Sequence, residues 1–290
     1  MTILGAVFRP QLPPERLRSV ARAADEAGLE ELWLWEDCFL ESGFSCAAAA
    51  LAWTERLRVG VGLFPVPLRN VALTAMEIAA LDRMFPGRFL PGVGHGVQDW
   101  MEQVGARAES PMTLLREYLQ ALRALLDGRT VCSQGRYVHL DGVALDWPPP
   151  APPALLAGAT GPRSLRLCGE LADGTLITGG TTPDQLAAAL EPVNEGRRAA
   201  GRTDEHAAVV YVHAATGPDA EQRLENERSH WGYDTMDGRS VHGDAGRIAR
   251  SLGAWIEAGA TTVVVQPTAD DPDPEGFVDF MGRKVAPLLR

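Results

Sequence analysis

Residues 17–37 read LRSVARAADEAGLEELWLWED, a helical pattern followed directly by a strand pattern. Apolar residues recur at positions 17, 20, 21, 24 and 27, the spacing of one helix face, until Gly28 ends the helix. The next run, 31–35, is rich in residues that favour strands, and the acids Glu36 and Asp37 follow it. The stretch therefore predicts a helix, a turn and an apolar strand, the repeating unit of an alternating α/β fold.

The same alternation runs through the whole chain. The apolar runs that predict strands are 3–8, 31–35, 57–63, 88–93, 154–157, 174–178, 207–213 and 261–266, with amphipathic stretches between them. Eight parallel strands that alternate with helices make a TIM barrel, which takes about 250 residues. We therefore expect an α/β fold, a single (β/α)8 TIM barrel that forms one domain over residues 1–290.

Two segments depart from the alternation. After the fourth strand, residues 131–140 are β-rich around Gly135 and predict a short hairpin, and the proline-rich run 148–153 follows. We expect this run to be a stiff connector from an insertion into the fifth strand. A domain boundary is the alternative, but it would leave the second half with four strands in need of a partner sheet. Residues 229–241 lack a clear period, and we expect a mobile lid over the barrel mouth there.

The composition argues against several classes of partner. Lys+Arg 27 and Asp+Glu 38 give a net charge of −11, which repels nucleic acid and anionic membranes. No apolar run approaches the roughly 18 residues that cross a bilayer, and the N-terminus has no signal-peptide pattern. The four cysteines have no metal-site spacing, so we expect reduced thiols and no metal. A soluble, cytoplasmic protein is therefore expected.

Two glycine-rich loops follow predicted strands at the end of a barrel where active sites lie. Loop 158–164 has the form of an anion cradle, because its small residues let the backbone approach, helix N-terminal amides point outward and Arg163 adds a charged fork. In loop 179–182, Thr182 can cap a helix that Pro183 begins. These loops predict a phosphate site between them; the alternative is that their glycines only form tight turns.

Three side chains at strand ends are candidates for proton transfer. His95 stands between two glycines after the fourth strand, although a structural histidine is the alternative. Glu36 and Asp37 should diverge from an extended strand end, so we expect only one of them to face a ligand, and burial would raise its pKa. A solvated acidic turn is the alternative for either. Gly94 belongs to a set of glycines that would let a flat ring lie against the strand ends.

Two common motifs are incomplete. Residues 92–97, GVGHGV, have valine where a dinucleotide-binding fingerprint needs its third glycine, which argues against a Rossmann fold. Ser164 lacks the G-x-S-x-G setting of a hydrolase nucleophile.

Taken together, these stretches resemble the bacterial luciferase-like monooxygenases and their deazaflavin-dependent relatives, which are single (β/α)8 barrels. The resemblance covers nearly the whole chain and rests on residues 27–37, 54–62, 80–89, 92–96, 161–165, 172–174 and 258–260. It implies a flavin-type cofactor, either coenzyme F420 or flavin mononucleotide (FMN). The phosphate would bind the loop after the fifth strand, and the ring would lie over the ends of strands three and four.

The resemblance also implies which residues form the site. Relatives often carry a non-prolyl cis peptide at the end of strand three, which corresponds here to Gly62–Leu63. The expected cofactor-binding residues are Gly62, Leu63, Gly94, His95, Gly158, Ala159, Thr160, Gly161, Pro162, Arg163, Gly179 and Gly180. Asp37 stands where many relatives have histidine, and Val97 stands where deazaflavin-dependent sugar-phosphate dehydrogenases have glutamate. The second departure disfavours sugar-phosphate oxidation.

We therefore expect an oxidoreductase that moves a hydride between coenzyme F420 and a small organic substrate. His95 would hydrogen-bond near the ring or the substrate, and Glu36 or Asp37 would assist proton transfer. One alternative is an FMN-dependent monooxygenase that uses O2, and a second is a noncatalytic flavin-binding barrel. Because relatives are commonly dimers, a homodimer is also expected.

Overall fold

The computed structural model describes residues 2–289, in which strands alternate with helices. The strands are β1 (Ile3–Val7), β2 (Glu31–Leu34), β3 (Arg58–Pro65), β4 (Phe89–Gly94), β5 (Val131–Gln134), β6 (His139–Val143), β7 (Leu156–Gly158), β8 (Gly174–Ile177), β9 (Ala207–Ala215), β10 (Ser240–His242) and β11 (Thr262–Pro267). The helices are α1 (Leu17–Ala27), α2 (Gly43–Trp53), α3 (Val71–Met84), α4 (Gln98–Gln103), α5 (Pro111–Leu126), α6 (Pro162–Leu171), α7 (Pro183–Ala199), α8 (Ala220–Trp231), α9 (Ala245–Glu257) and α10 (Pro274–Phe280).

The strands form a closed parallel barrel, which confirms the predicted fold. Its order is β1, β2, β3, β4, β7, β8, β9, β11, and it closes because β11 pairs with β1 while β8 pairs with β9. All eight predicted runs contain barrel strands, with ends that differ by at most two residues. The alternation of apolar runs with amphipathic stretches therefore determined both the number and the order of the strands.

The insertion after β4 contains the predicted hairpin. Strands β5 and β6 pair antiparallel, and the Gly135 amide donates to the Val138 carbonyl at 3.0 Å in the turn between them. After the proline-rich run, β7 pairs with β4, so the strands on both sides of that run belong to the same barrel. The organisation of residues 1–290 as one domain stays a prediction.

Local signals set several helix boundaries. Gly28 ends α1 in the left-handed conformation, with φ of 73°, which glycine adopts without a Cβ penalty. The Asn70 side chain accepts from the Ala72 amide at 2.9 Å and caps α3. Thr182 and Gln185 form a reciprocal capping box at the start of α7. These caps orient the helices that follow β3 and β8, whose ends form part of the barrel mouth.

The barrel interior is filled below its mouth by Trp33. A Cβ on Gly60 would lie 2.5 Å from the Trp33 ring, and one on Gly5 would lie 3.0 Å from it, so these glycines leave the volume that the indole occupies. The indole nitrogen donates to Glu31 at 2.8 Å. The indole thus fills the barrel below the carboxyl ends of the strands, the end at which the active sites of TIM barrels lie.

The segment 229–241 is regular at both ends. Residues 229–231 complete α8, and residues 240–241 belong to β10, which pairs in parallel with the end of β9. Between them, the Tyr233 hydroxyl donates to the Gly179 carbonyl at 3.2 Å, and Arg239 donates to the Gly180 carbonyl. The segment therefore covers the loop after β8. Its movement as a lid stays a prediction.

Candidate active site

A cavity of about 310 Å³ opens at the carboxyl ends of the strands, and we call it the mouth cavity. It is lined by Glu36, Asp37, Gly62, Leu63, Pro65, His95, Gly96, Val97, Trp100, Gly158, Ala159, Thr160, Leu176, Ile177, Thr178 and Tyr211. The fold thus brings together predicted residues from the ends of β2, β3, β4 and β7, which are far apart in the sequence.

A second cavity of about 260 Å³ adjoins the first, and we call it the side recess. It is lined by Trp35, Asp37, Gly62, Val97, Trp100, Thr178, Gly179, Tyr211, His213, Trp231, Tyr233 and Gln266. Because Asp37, Gly62 and Tyr211 line both cavities, they form part of a shared wall. The arrangement provides two adjacent compartments, each with apolar walls and a few polar groups, as ligand sites commonly have.

Leu63 occupies the space beside two of the predicted glycines. The Gly62–Leu63 peptide is cis, as the resemblance implied, and a second non-prolyl cis peptide joins Cys38 and Phe39. A Cβ on Gly94 would lie 2.5 Å from the Leu63 side chain, and one on Gly158 would lie 2.3 Å from it. The expectation that Gly94 leaves room for a ring is thereby corrected, because the Leu63 side chain fills that room. Gly94 itself does not line the mouth cavity.

The two acids at the end of β2 have different surroundings. Glu36 accepts two hydrogen bonds from Arg69, at 3.0 and 2.7 Å, and one from the Gly43 amide at 2.8 Å. Arg69 also bonds Glu77 and lies 4.9 Å over the ring of Phe44. Both acids line the mouth cavity, contrary to the expectation that only one would face it. Glu36 is therefore held in place by an ion pair and a backbone amide.

Asp37 has no side-chain hydrogen bond or ion pair with any residue from 2 to 289. Burial raises the pKa of its carboxyl group, and the positive charge of Arg9 opposes this shift in part. A carboxyl group that retains its proton closer to neutral pH is suited to general acid–base chemistry.

His95 lines the mouth cavity beside the start of α6. Its Nε2 is 3.1 Å from the Ser164 hydroxyl, which in turn lies 3.0 Å from the sulfur of Met112. Its Nδ1 is buried without a hydrogen-bond partner. Burial lowers the pKa of His95, and the Pro111 backbone opposes the shift. The neutral ring can therefore offer one nitrogen to a bound ligand.

The predicted anion cradle is partly assembled at the mouth. Gly158, Ala159 and Thr160 line the cavity, and α6 begins after Gly161 with no side chain capping it. The amides of its first turn are thus free of a side-chain acceptor. Arg163 lies exposed in that turn and pairs with no acid among the described residues. Gly161, Pro162 and Arg163 do not line the cavity, so their contact with a ligand stays a prediction.

In the second glycine loop, Gly179 lines the side recess, whereas the carbonyl of Gly180 is bound by Arg239. Gly180 has φ of +77°, and a Cβ there would lie 2.3 Å from the Tyr233 hydroxyl. The loop is therefore covered by the segment 229–241 on one side. A phosphate contact at Gly180 stays a prediction.

Sequence reasoning missed most residues of the side recess. Tyr211 and His213 lie in the middle and second half of β9, Gln266 lies near the end of β11, and Trp231 and Tyr233 come from the covering segment. One signal was present: Tyr211 and His213 are two residues apart in the strand run 207–213, so both face the same side. Their shared position at the mouth becomes evident only when the barrel closes.

The lining of the mouth cavity has the chemistry that a flat heterocycle requires. Leu63, Leu176, Ile177 and Trp100 supply apolar walls, and the unpartnered Nδ1 of His95 and the hydroxyl of Tyr211 lie at its sides. Within residues 2–289, no group of three or more His, Cys, Asp or Glu side chains could hold a metal ion. None of the helices described there is long and apolar enough to cross a membrane.

Comparisons with known proteins found a matching family model and several relatives. A family model described as luciferase-like monooxygenase matches residues 4–262. The F420-dependent glucose-6-phosphate dehydrogenase of Gordonia bronchialis is 30% identical over 234 residues, which are 75% of this chain and 69% of that protein. For two further curated relatives, the match spans 60% and 65% of the relative's length, less than two thirds.

Solved structures share the whole fold. An F420-dependent secondary alcohol dehydrogenase in complex with an F420–acetone adduct superposes with a TM-score of 0.88 at 20% identity, covering 100% of this chain and 99% of the other. The oxygenating constituent of 3,6-diketocamphane monooxygenase from Pseudomonas putida, in complex with FMN, gives 0.82 at 18% identity, with 100% and 99% covered. At these identities the likeness shows the barrel fold alone.

Proposed function

The chain belongs to the luciferase-like monooxygenase family, and on that premise we propose that it is an oxidoreductase that uses coenzyme F420. The reaction is hydride transfer to or from a small organic substrate. The observation that carries this proposal is the position of Asp37 in the wall shared by the mouth cavity and the side recess. A cofactor ring in one compartment and a substrate in the other would meet beside this carboxyl group.

The chain's own residues would bind and orient the cofactor. Leu63, Leu176 and Ile177 would contact the ring, and the cradle at residues 158–161 would hold the phosphate with the help of Arg163. When bound, coenzyme F420 supplies or accepts a hydride at its ring. Apolar walls around both compartments exclude water from that exchange.

Asp37 is proposed as the proton donor or acceptor for the substrate. The pKa of Asp37 is raised and its carboxyl group is unpaired, so it can give a proton to the substrate or take one from it. The Glu36 carboxylate is instead occupied by Arg69 and the Gly43 amide. Glu36 would fix the rim of the site. His95 would hydrogen-bond the cofactor from the α6 side through Nδ1.

An FMN-dependent monooxygenase that uses O2 is the second candidate function. It is supported by the FMN named for the Pseudomonas putida structure, whereas coenzyme F420 is favoured by the 30% identical relative, which is described as F420-dependent. A noncatalytic flavin-binding barrel is the third. The expected homodimer also stays a proposal, and light scattering of the purified chain measures its mass.

Anaerobic turnover of the loaded enzyme tests the proposal. Reduced and oxidised coenzyme F420 are incubated in turn with a panel of ketones, aldehydes, imines and secondary alcohols, and the visible absorbance of the cofactor is followed. We expect the visible absorbance of coenzyme F420 to change when a substrate is added, in the absence of oxygen. Turnover that requires both FMN and O2 would instead support the monooxygenase, and bound cofactor without turnover in either assay would favour the noncatalytic barrel.

A further inference from the structure

Three polar side chains that the proposed function leaves unused converge on the side recess. His213 and Gln266 are each 1% exposed, and Tyr211 is 5% exposed. Both ring nitrogens of His213 and the amide Nε2 of Gln266 have no hydrogen-bond partner within residues 2–289. The Tyr211 hydroxyl lies beside the Trp35 indole, which can only donate to it, so its own proton has no acceptor among those residues. Gln266 pairs with His213 in the register of β11 and β9, and Tyr211 lies two residues earlier on the same face. We call these three residues the polar cluster.

Neighbouring groups do not satisfy the cluster. The charged group beside His213 is Glu227. Its carboxylate already accepts from Trp231 at 2.7 Å, from the Ala269 amide at 2.6 Å and from Arg9 at 3.4 Å. His213 Nδ1 is 3.9 Å from that carboxylate, beyond hydrogen-bond distance. Buried polar groups in folded proteins are nearly always paired, so several unpaired groups in one recess point to a ligand.

The cluster offers mainly donors. The amide of Gln266 and the hydroxyl of Tyr211 can each donate to an acceptor oxygen. Burial lowers the pKa of His213 to about 4, with Glu227 opposing and Arg9 and Arg239 adding to the shift. His213 is thus neutral near pH 7, with one donor and one acceptor nitrogen.

The rest of the recess selects for a small, flat, uncharged molecule. Trp35, Trp100, Trp231 and Tyr233 supply aromatic walls around a volume of about 260 Å³, just below the ~300–1,000 Å³ usual for drug-sized ligands. The lining includes the acid Asp37 and, among the described residues, no arginine or lysine. Arg9 and Arg239 lie near His213 but outside the lining, where they bind Glu227 and the Gly180 carbonyl, so an anionic substrate would face the Asp37 carboxylate with no cation in the lining.

We propose that the polar cluster binds the carbonyl oxygen of a small, planar, uncharged substrate. Gln266 and Tyr211 donate to that oxygen, and His213 makes the third contact. Gly179 keeps the approach open, because a Cβ there would lie 2.8 Å from Gln266 Oε1 and 3.6 Å from His213 Nε2. The inference rests on the proposed function, since a carbonyl group held here lies in the compartment that Asp37 also lines.

Binding of three matched probes tests the proposal without turnover. Acetophenone, ethylbenzene and benzoate share an aromatic ring and differ as a ketone, a hydrocarbon and an anion. Ligand-detected NMR titrations are run on the full chain, with and without coenzyme F420. We expect acetophenone to bind more tightly than both other probes. Equal binding of acetophenone and ethylbenzene in both arms, or tightest binding of benzoate, would overturn the proposal.

Substitutions separate a ligand-binding role from a structural one. Gln266→Leu and Tyr211→Phe should each weaken acetophenone binding about three- to tenfold, the loss of one hydrogen bond, and leave ethylbenzene unchanged. Because Gln266 Nε2 and the Tyr211 hydroxyl proton have no acceptor in the free protein, Tm should stay equal or rise. The exposed Gln120→Leu is the matched control, with no effect on either probe.

A fall in Tm, or equal weakening of both aromatic probes, would assign the cluster a structural role and contradict the inference. Failure of the proposed function gives a different result. Coenzyme F420 would then not bind in the titrations that contain it, while the order of probe affinities would remain in the titrations without it.

Discussion

The Tyr211 hydroxyl lies against the backbone of Gly62, so closely that a Cβ built on Gly62 would be 2.1 Å from it. Tyr211 also meets the Trp35 ring edge-on, with centroids 5.9 Å apart. The phenol therefore has little freedom to move aside. This contact lies in the wall shared by the mouth cavity and the side recess. Substitutions at Gly62 and Tyr211 therefore test how that wall is packed.

Gly62→Ala should lower the free energy of unfolding by about 1–3 kcal/mol, the usual cost of overpacking. The double variant Gly62→Ala/Tyr211→Phe should recover most of that loss, because the next contacts of the Cβ, with Tyr211 Cζ and Leu176 Cδ1, are both 3.3 Å. Urea unfolding measures both. Gly253→Ala in α9, where a Cβ meets nothing within 4 Å, is the control. A double variant no more stable than the single one would refute the contact.

Asp37→Asn should reduce kcat/KM for substrate reduction by about 10²-fold, the lower end of general acid catalysis. In the wild type, the protonated carboxyl group donates, so the rate falls as pH rises through its pKa. Burial raises that pKa, which places the fall above the pH range of an ordinary aspartate. The variant should lose this limb of the pH profile. An unchanged profile in Asp37→Asn would remove Asp37 from the proton transfer.

Glu36→Gln should lower the free energy of unfolding and leave unchanged the fall of kcat/KM with rising pH that is assigned to Asp37. Loss of the paired charge beside Arg69 is expected to cost about 1–3 kcal/mol, because this half-buried ion pair also receives the Gly43 amide. Chemical unfolding provides the measurement. Glu102→Gln is the matched control, since its ion pair with Arg107 is exposed and such pairs contribute only about 0–1 kcal/mol. Equal losses in the two variants would argue against a structural role for Glu36.

Arg163→Ala should raise the cofactor dissociation constant about tenfold, the effect of one charge-assisted hydrogen bond to phosphate or to the acidic tail of the cofactor. Arg166→Ala on the same helix is the control, because Arg166 faces Glu170 and Glu195. Isothermal titration of both variants distinguishes them. If Arg163→Ala binds as tightly as the wild type, Arg163 is not part of the site.

The fold was accessible from the sequence because its signals are local. The apolar runs, Gly28, Asn70 and the capping box at Thr182 each act within a few residues, and β/α alternation leaves few topologies to consider. The barrel rule then located the mouth, which is why Asp37, His95 and Gly158 were found as lining residues.

The finer assignments depend on contacts between distant residues. Glu36 and Arg69 are 33 residues apart in the sequence. The sequence around Glu36 and Asp37 therefore does not show that Glu36 is the acid bound by an arginine and that Asp37 is unpaired. Leu63 fills the space beside Gly94 and Gly158 because β3, β4 and β7 are neighbours in the barrel. His213 and Gln266 are buried polar residues, as many structural residues are. Their lack of hydrogen-bond partners becomes visible only in the packed structure.

Equilibrium titration of the purified chain with coenzyme F420 and with FMN, followed by ring fluorescence, tests most directly whether the barrel mouth holds a redox heterocycle. We expect saturable, one-to-one binding of coenzyme F420 that is tighter than binding of FMN, and weaker binding of coenzyme F420 in Gly62→Ala. Fluorescence unchanged by the protein with both cofactors would contradict it.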